Sequence, residues 1–240
     1  MNYYYMSVSY DGSKFYGFQR LGNKPSVQAS LEKALMQINK GEVLVKGAGR
    51  TDRGVHALDQ GVSFALNQSV PPERLKNALN SLVNPYIKVN DVAIVDEKFH
   101  ARFSVKSKTY TYLINLGEFD PIRNDYVYNY NRPLDIKKMK RASKALLGAH
   151  SYEAFTSGKR ENYNSIITSI KFSKNESVLS ITFEGKSFYR YMVRNLVGVL
   201  MLVGEGKITS SELEDILNLK KRGNYLTVPA SGLYLVHVKY

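Results

Sequence analysis

At 240 residues and 43% hydrophobic content, the chain can form one large domain or two small fused ones around an ordinary apolar core, which excludes wholesale disorder. Its 34 Lys and Arg outnumber its 21 Asp and Glu, and the formal net charge of +13 favours a polyanionic partner. The absence of cysteine excludes disulfides, thiolate metal ligands and cysteine nucleophiles.

The opening residues, Met1 to Tyr10, carry neither a basic leader nor a continuous apolar stretch, so no secretion signal is expected. The longest apolar run, Leu196 to Gly204, falls well short of the ~20 residues that cross a bilayer. A soluble cytoplasmic protein is expected.

A first strand is predicted over Tyr3 to Tyr10. Pro25 and Ser26 then introduce a helix in which Val27, Leu31, Ala34, Leu35 and Ile38 keep helical spacing up to Gly41. A strand from Val43 to Ala48 leads through a polar glycine-containing loop to another from Leu58 to Leu66, with Leu58, Val62, Phe64 and Leu66 on one face. Pro71 and Pro72 start a second helix presenting Leu75, Ala78, Leu79 and Leu82, and the chain returns as a strand from Val89 to Val95. This order is βαββαβ.

The pattern resumes with a strand from Tyr110 to Leu116 and a helix from Ile136 to Leu147, beginning at Asp135. A hairpin of Ile166 to Phe172 and Val178 to Phe183 follows, then a helix from Phe188 to Val203 and a last strand from Leu233 to Lys239. A short inserted helix, with Ser211 and Glu214 in capping-box positions, carries Leu213, Ile216 and Leu217. The reading is an α+β fold of two tandem ferredoxin-like βαββαβ halves, residues 1–104 and 105–240. They form a central mixed, mainly antiparallel sheet with helices on one side and a cleft on the other.

Chemistry concentrates in Gly47-Ala48-Gly49-Arg50-Thr51-Asp52-Arg53-Gly54-Val55-His56-Ala57, where glycines surround an acid, two arginines and a histidine. Glycines allow tight turns and close ligand approach, and flanking strands hold one carboxylate in place, so Asp52 is the candidate. A plain polar hairpin with an Asp-Arg surface pair has the same composition. His56, His100, His150 and His237 are scattered without metal-binding spacing, and no nucleotide-cofactor loop is present, so neither metal nor cofactor is expected.

Gly49 to Ala57 resembles the signature loop of the TruA family of tRNA pseudouridine synthases. The resemblance extends to Tyr10-Asp11-Gly12-Ser13 with Phe15, Gly17, Phe18 and Gln19, to Phe99-His100-Ala101-Arg102-Phe103, and to Lys108-Thr109-Tyr110. It also takes in Met192-Val193-Arg194-Asn195 and Gly232-Leu233-Tyr234-Leu235, so it spans nearly the whole chain.

It implies isomerisation of uridine to pseudouridine at tRNA positions 38 to 40, in the anticodon stem-loop. Asp52 is then catalytic, Arg194 pairs with it, and Tyr110 stacks on the target base. The resemblance also implies a homodimer. Arg50, Arg53 and Arg102 are read as phosphate or base-flipping contacts, with structural ion pairing as the other reading. The basic helix face of Lys137, Lys138, Lys140, Arg141 and Lys144 either tracks tRNA phosphates or is a solvated exterior. A noncatalytic RNA-binding or RNA-remodelling protein would share the charge but has no use for an anion at the loop's centre. A nuclease or glycosylase would leave broken strands or free uracil. No membrane or DNA partner is expected.

Overall fold

In β1 (Asn2–Tyr10), alternate residues Tyr4, Met6, Val8 and Tyr10 are buried. The period of two predicted for this segment thus sets one face against the core. The computed structural model describes residues 1–220 and 223–240. They divide into two compact units, one of Met1–Lys106 with Tyr234–Tyr240 and the other of Ser107–Leu233.

In the first unit, β1 is followed by α1 (Val27–Asn39), β2 (Lys46–Gly47), β3 (His56–Leu66), α2 (Pro72–Leu82) and β4 (Ile87–Ile94). Ser26 caps α1 by accepting the N–H of Ala29 at 3.3 Å. Lys40, in the left-handed conformation, closes the helix one residue before the Gly41 expected to end it.

β4 and β3 flank β1 antiparallel, and β2 runs antiparallel to β3, which is the strand order of a ferredoxin-like half. The apolar side of β1 and β3 is buried, as are Leu31 and Leu35 of α1 and Leu75 and Leu79 of α2, all fully. The opposite side of the sheet is mixed, with an aromatic cluster of Tyr5, Phe99 and Tyr240 beside a polar group. Ser7 and His237 both hydrogen-bond Asp59, the latter at 2.5 Å, and Asn90 bridges Ser7 and Ser9.

Two strand expectations shift for identifiable reasons. Only Lys46–Gly47 of the Val43–Ala48 segment pairs as a strand, because the Glu32 carboxylate takes the Val45 N–H at 3.2 Å. In β3, Leu58 is 52% exposed rather than sharing a face with Val62, Phe64 and Leu66. The pairing passes from Val8 opposite Gln60 to Tyr10 opposite Ala57, and the extra residue of this bulge reverses the alternation.

The second unit contains β5 (Ser107–Asn115), β6 (Tyr128–Asn129), α3 (Ile136–Ala142), β7 (Gly148–Ser151), β8 (Asn164–Asn175), β9 (Val178–Gly185), α4 (Met192–Gly204) and α5 (Ser210–Leu217). Its sheet runs β5-β9-β8-β7, antiparallel throughout, with β6 parallel to β5. The expected helix from Ile136 to Leu147 turns 3-10 at Ser143. α4 is buried along almost its whole length and has Leu196, Val197, Val199 and Leu200 at zero exposure.

α4 starts at Met192, not at Phe188. Tyr191 sits at φ 63, a left-handed conformation that breaks the helical path, while Phe188 turns its ring toward Tyr110. β10 (Leu233–Lys239) enters the first unit and pairs parallel with β3, Tyr234 opposite His56 and Leu235 opposite Ala57. Among the described residues no helix is long and apolar enough to cross a membrane.

The capping box of α5 lies two residues before the expected one. Thr209 is extended and accepts the Glu212 N–H at 3.2 Å, and Glu212 accepts the Thr209 N–H at 3.0 Å. Thr209→Ala is therefore expected to cost about 1 kcal/mol in urea unfolding, and Ser211→Ala less than about 0.5 kcal/mol.

Candidate active site

The loop from Ala48 to Val55 joins β2 to β3, so both ends are fixed by one antiparallel pair. The Ala48 N–H donates to Gly61 at 2.8 Å, and the Gln60 amide donates to the Gly49 carbonyl at 2.9 Å. Thr51 is buried, with its hydroxyl 2.8 Å from that of Tyr10 and its carbonyl accepting the Phe18 N–H at 3.1 Å. Burial raises the Tyr10 hydroxyl well above its ordinary pKa against the lowering effect of its bonds to Thr51 and Gln60, so it stays protonated. Asp52 follows directly, partly exposed, and its carbonyl accepts the Val55 N–H at 3.2 Å.

Residues 10–18 form the other wall, and two glycines there leave no room for side chains. A methyl group on Gly12 would lie 2.0 Å from the Val55 carbonyl oxygen. Gly17, at φ +105, would place one 2.7 Å from the Thr51 oxygen. The Gly12 N–H donates to Nδ1 of buried His56 at 3.1 Å, and the Asp11 carboxylate lies 3.4 Å from the same nitrogen. Tyr234 stacks on the same imidazole at 4.6 Å and 19°. His56 thus anchors the loop's end.

Arg50, Asp52 and Arg53 share this loop, and both arginines are exposed. The Arg53 guanidinium lies 4.3 Å from the centre of the Tyr16 ring, and Lys24 approaches that ring at 4.9 Å. Arg102 occupies a separate turn whose buried Ala101 donates to Ser63 Oγ at 3.1 Å, and Ser63 is the β3 residue paired with Lys46. That turn is tied to the strands from which the Asp52 loop springs.

The second unit holds Tyr110 and Arg194. Tyr110, on β5, is 8% exposed and meets the Phe188 ring edge-on at 5.1 Å. Arg194, in the first turn of α4, donates from Nε to the Val228 carbonyl at 2.6 Å, and its guanidinium lies 5.0 Å from the Tyr191 ring. The adjacent Asn195 is buried, donating to the Phe155 carbonyl at 2.9 Å and accepting from Thr227 at 2.6 Å. Arg194 and its neighbour Asn195 are therefore both tied to the 227–228 segment.

Sequence reasoning passed over Tyr16, Phe188, the anchoring role of His56 and the Val228 carbonyl. Tyr16 lies between Phe15 and Gly17 of the first motif, and His56 inside the loop itself. Nothing in the pattern points to a backbone carbonyl 34 residues beyond Arg194. Among the described residues no group of three His, Asp or Glu is arranged to hold a metal ion.

A family model described as "tRNA pseudouridine synthase" matches residues 6–104 and 142–240. The chain is 41% identical over 241 residues to a tRNA pseudouridine synthase A of Malacoplasma penetrans, covering 99% of both. It is 39% identical over 237 residues to one of Thermoanaerobacter sp. strain X514, covering 97% of both. A solved structure titled "Crystal Structure of a Cbf5-Nop10-Gar1 Complex" aligns at 10% identity and a TM-score of 0.36, over 82% of this chain and 53% of that one.

The contact at Gly12 gives a direct test of the clamp. Gly12→Ala is expected to lower the unfolding free energy by about 1–3 kcal/mol in urea. Gly41→Ala, whose added methyl meets its nearest neighbour at 3.8 Å, is expected to stay within about 0.5 kcal/mol.

Proposed function

Because the chain belongs to the tRNA pseudouridine synthase family, we propose that it isomerises uridine to pseudouridine at positions 38 to 40 of the tRNA anticodon arm. The observation that carries this reading is the match along the full length to tRNA pseudouridine synthases A. The clamped loop that presents Asp52 supports it.

The reaction breaks the bond between N1 and ribose C1′, turns the base, and joins C5 to C1′. A proton leaves C5 and one arrives at N1, so no oxidant or second substrate is needed. Asp52 serves either by attacking C1′ or by removing a ribose proton, and both roles need its ionised form. Arg194 balances and orients that carboxylate, its own guanidinium held by Val228. Tyr110 offers the detached base an aromatic face, with Phe188 bracing its ring.

The uridine must leave its stack to expose C1′, which costs a few kcal/mol. Arg50, Arg53 and Arg102 offset this through phosphate and base contacts, as exposed arginines on anchored backbone. The same reading carries a homodimer and a cytoplasmic setting.

The test is an unmodified tRNA transcript with uridines at 38 to 40, incubated without added cofactor or metal, with pseudouridine mapped by chemical adduct formation. The native chain is expected to form it, and Asp52→Asn to lose at least about 10²–10⁴-fold in rate while binding tRNA within about threefold. Tight binding with no product points to a noncatalytic RNA-binding protein, and free uracil or cut strands to another chemistry. With six or more phosphate contacts, raising salt from 50 to 200 mM is expected to weaken binding by about 10³-fold or more in a titration.

A further inference from the structure

Phe103 is 77% exposed, a costly position for an aromatic side chain, yet the turn carrying it is held at almost every residue. The Phe103 and Ser104 N–H groups donate to the His100 carbonyl at 3.0 and 2.9 Å. The Arg102 N–H donates to His100 Nδ1 at 3.1 Å, and the His100 N–H to Ser104 Oγ at 3.2 Å. Ala101 between them is buried, giving its N–H to Ser63 and accepting the Tyr240 hydroxyl at 2.9 Å. The ring is presented outward from a turn whose backbone has little freedom.

Its surroundings are cationic and aromatic. The His100 ring lies 4.4 Å from that of Phe103, and the Arg102 guanidinium 5.8 Å from it. Burial, followed by the charges of Lys46 and Arg102, holds His100 below its ordinary pKa, so it acts as a neutral aromatic brace. Lys46 belongs to β2, which leads directly into the Asp52 loop.

Resting on the proposed function, we infer that Phe103 is a stacking platform for a base of the bound tRNA, with Arg102 and Lys46 taking the adjoining phosphates. A rigid exposed ring beside two cations matches a nucleotide, which pairs a π-face with an anion. A plain apolar partner would match only the ring.

The test uses the full chain and the same tRNA transcript. Affinity is read in an Asp52→Asn background, pseudouridine formation with Asp52 intact, and stability in urea. Phe103→Ala is expected to raise Kd and KM by roughly 5- to 150-fold, with kcat and the urea midpoint nearly unchanged. Phe103→Tyr and Phe103→Trp are expected to restore binding, and Phe103→Leu, of similar apolarity but without a π-face, to fail.

A change of less than twofold for Phe103→Ala, or full rescue by Phe103→Leu, overturns the stacking role. So does a fall in native mass in ultracentrifugation that accounts for lost affinity, because the ring would then sit between two copies of the chain. Loss of affinity in Phe103→Ala from a parent that makes no pseudouridine upholds stacking and overturns the proposed reaction instead.

Discussion

The first unit depends on one constraint: a short polar loop has to be held still although its central residue is ionisable and its neighbours carry positive charge. No apolar side chain at Asp52 can do this, so immobility comes from the backbone. The turn of residues 10–18 presses against the loop so closely that Gly12 and Gly17 have no space for a methyl group. Thr51 is gripped from both sides, by the Tyr10 hydroxyl and the Phe18 N–H. The backbone that carries Asp52 is thereby held through its neighbours.

The second unit solves the matching problem differently. α4 is so apolar that its packing dictates its placement, and Arg194 emerges in its first turn with one nitrogen committed to the Val228 carbonyl. That bond fixes the guanidinium plane, which matters for a group whose value lies in directional donors. Tyr110 is likewise buried within β5 and braced by Phe188, so both proposed substrate contacts are stiff at their base.

The sequence made the larger organisation legible because strand alternation, helical spacing and caps are local signals. The resemblance to a known family put forward Asp52, Tyr110 and Arg194 as candidates, since a motif marks residue identity. Competition escaped it. Two capping-box frames, at Thr209 and Ser211, satisfy the same spacing, and packing selects the first. Glu32 withdraws Val45 from strand pairing, and a bulge turns Leu58 outward, both through partners distant in sequence. β6 and β7, of two and four residues, are too short to show a period. The anchors of the site escaped for a related reason: His56 Nδ1 and the Val228 carbonyl act by hydrogen bonds that no composition records.

The first unit is also assembled from two stretches of chain far apart in sequence, Met1–Lys106 and Tyr234–Tyr240. β10 lies beside β3, Tyr234 covers His56, the Lys106 N–H donates to the Lys239 carbonyl at 2.8 Å, and Tyr240 secures Ala101. During synthesis, residues 1–106 leave the ribosome long before these partners exist. Until the second unit has been translated, that part of β3 stays open as an unpaired strand edge, a template for wrong pairing. Completion of the Asp52 platform therefore waits for β10, and a chain that stops short of Leu233 lacks the strand that finishes it.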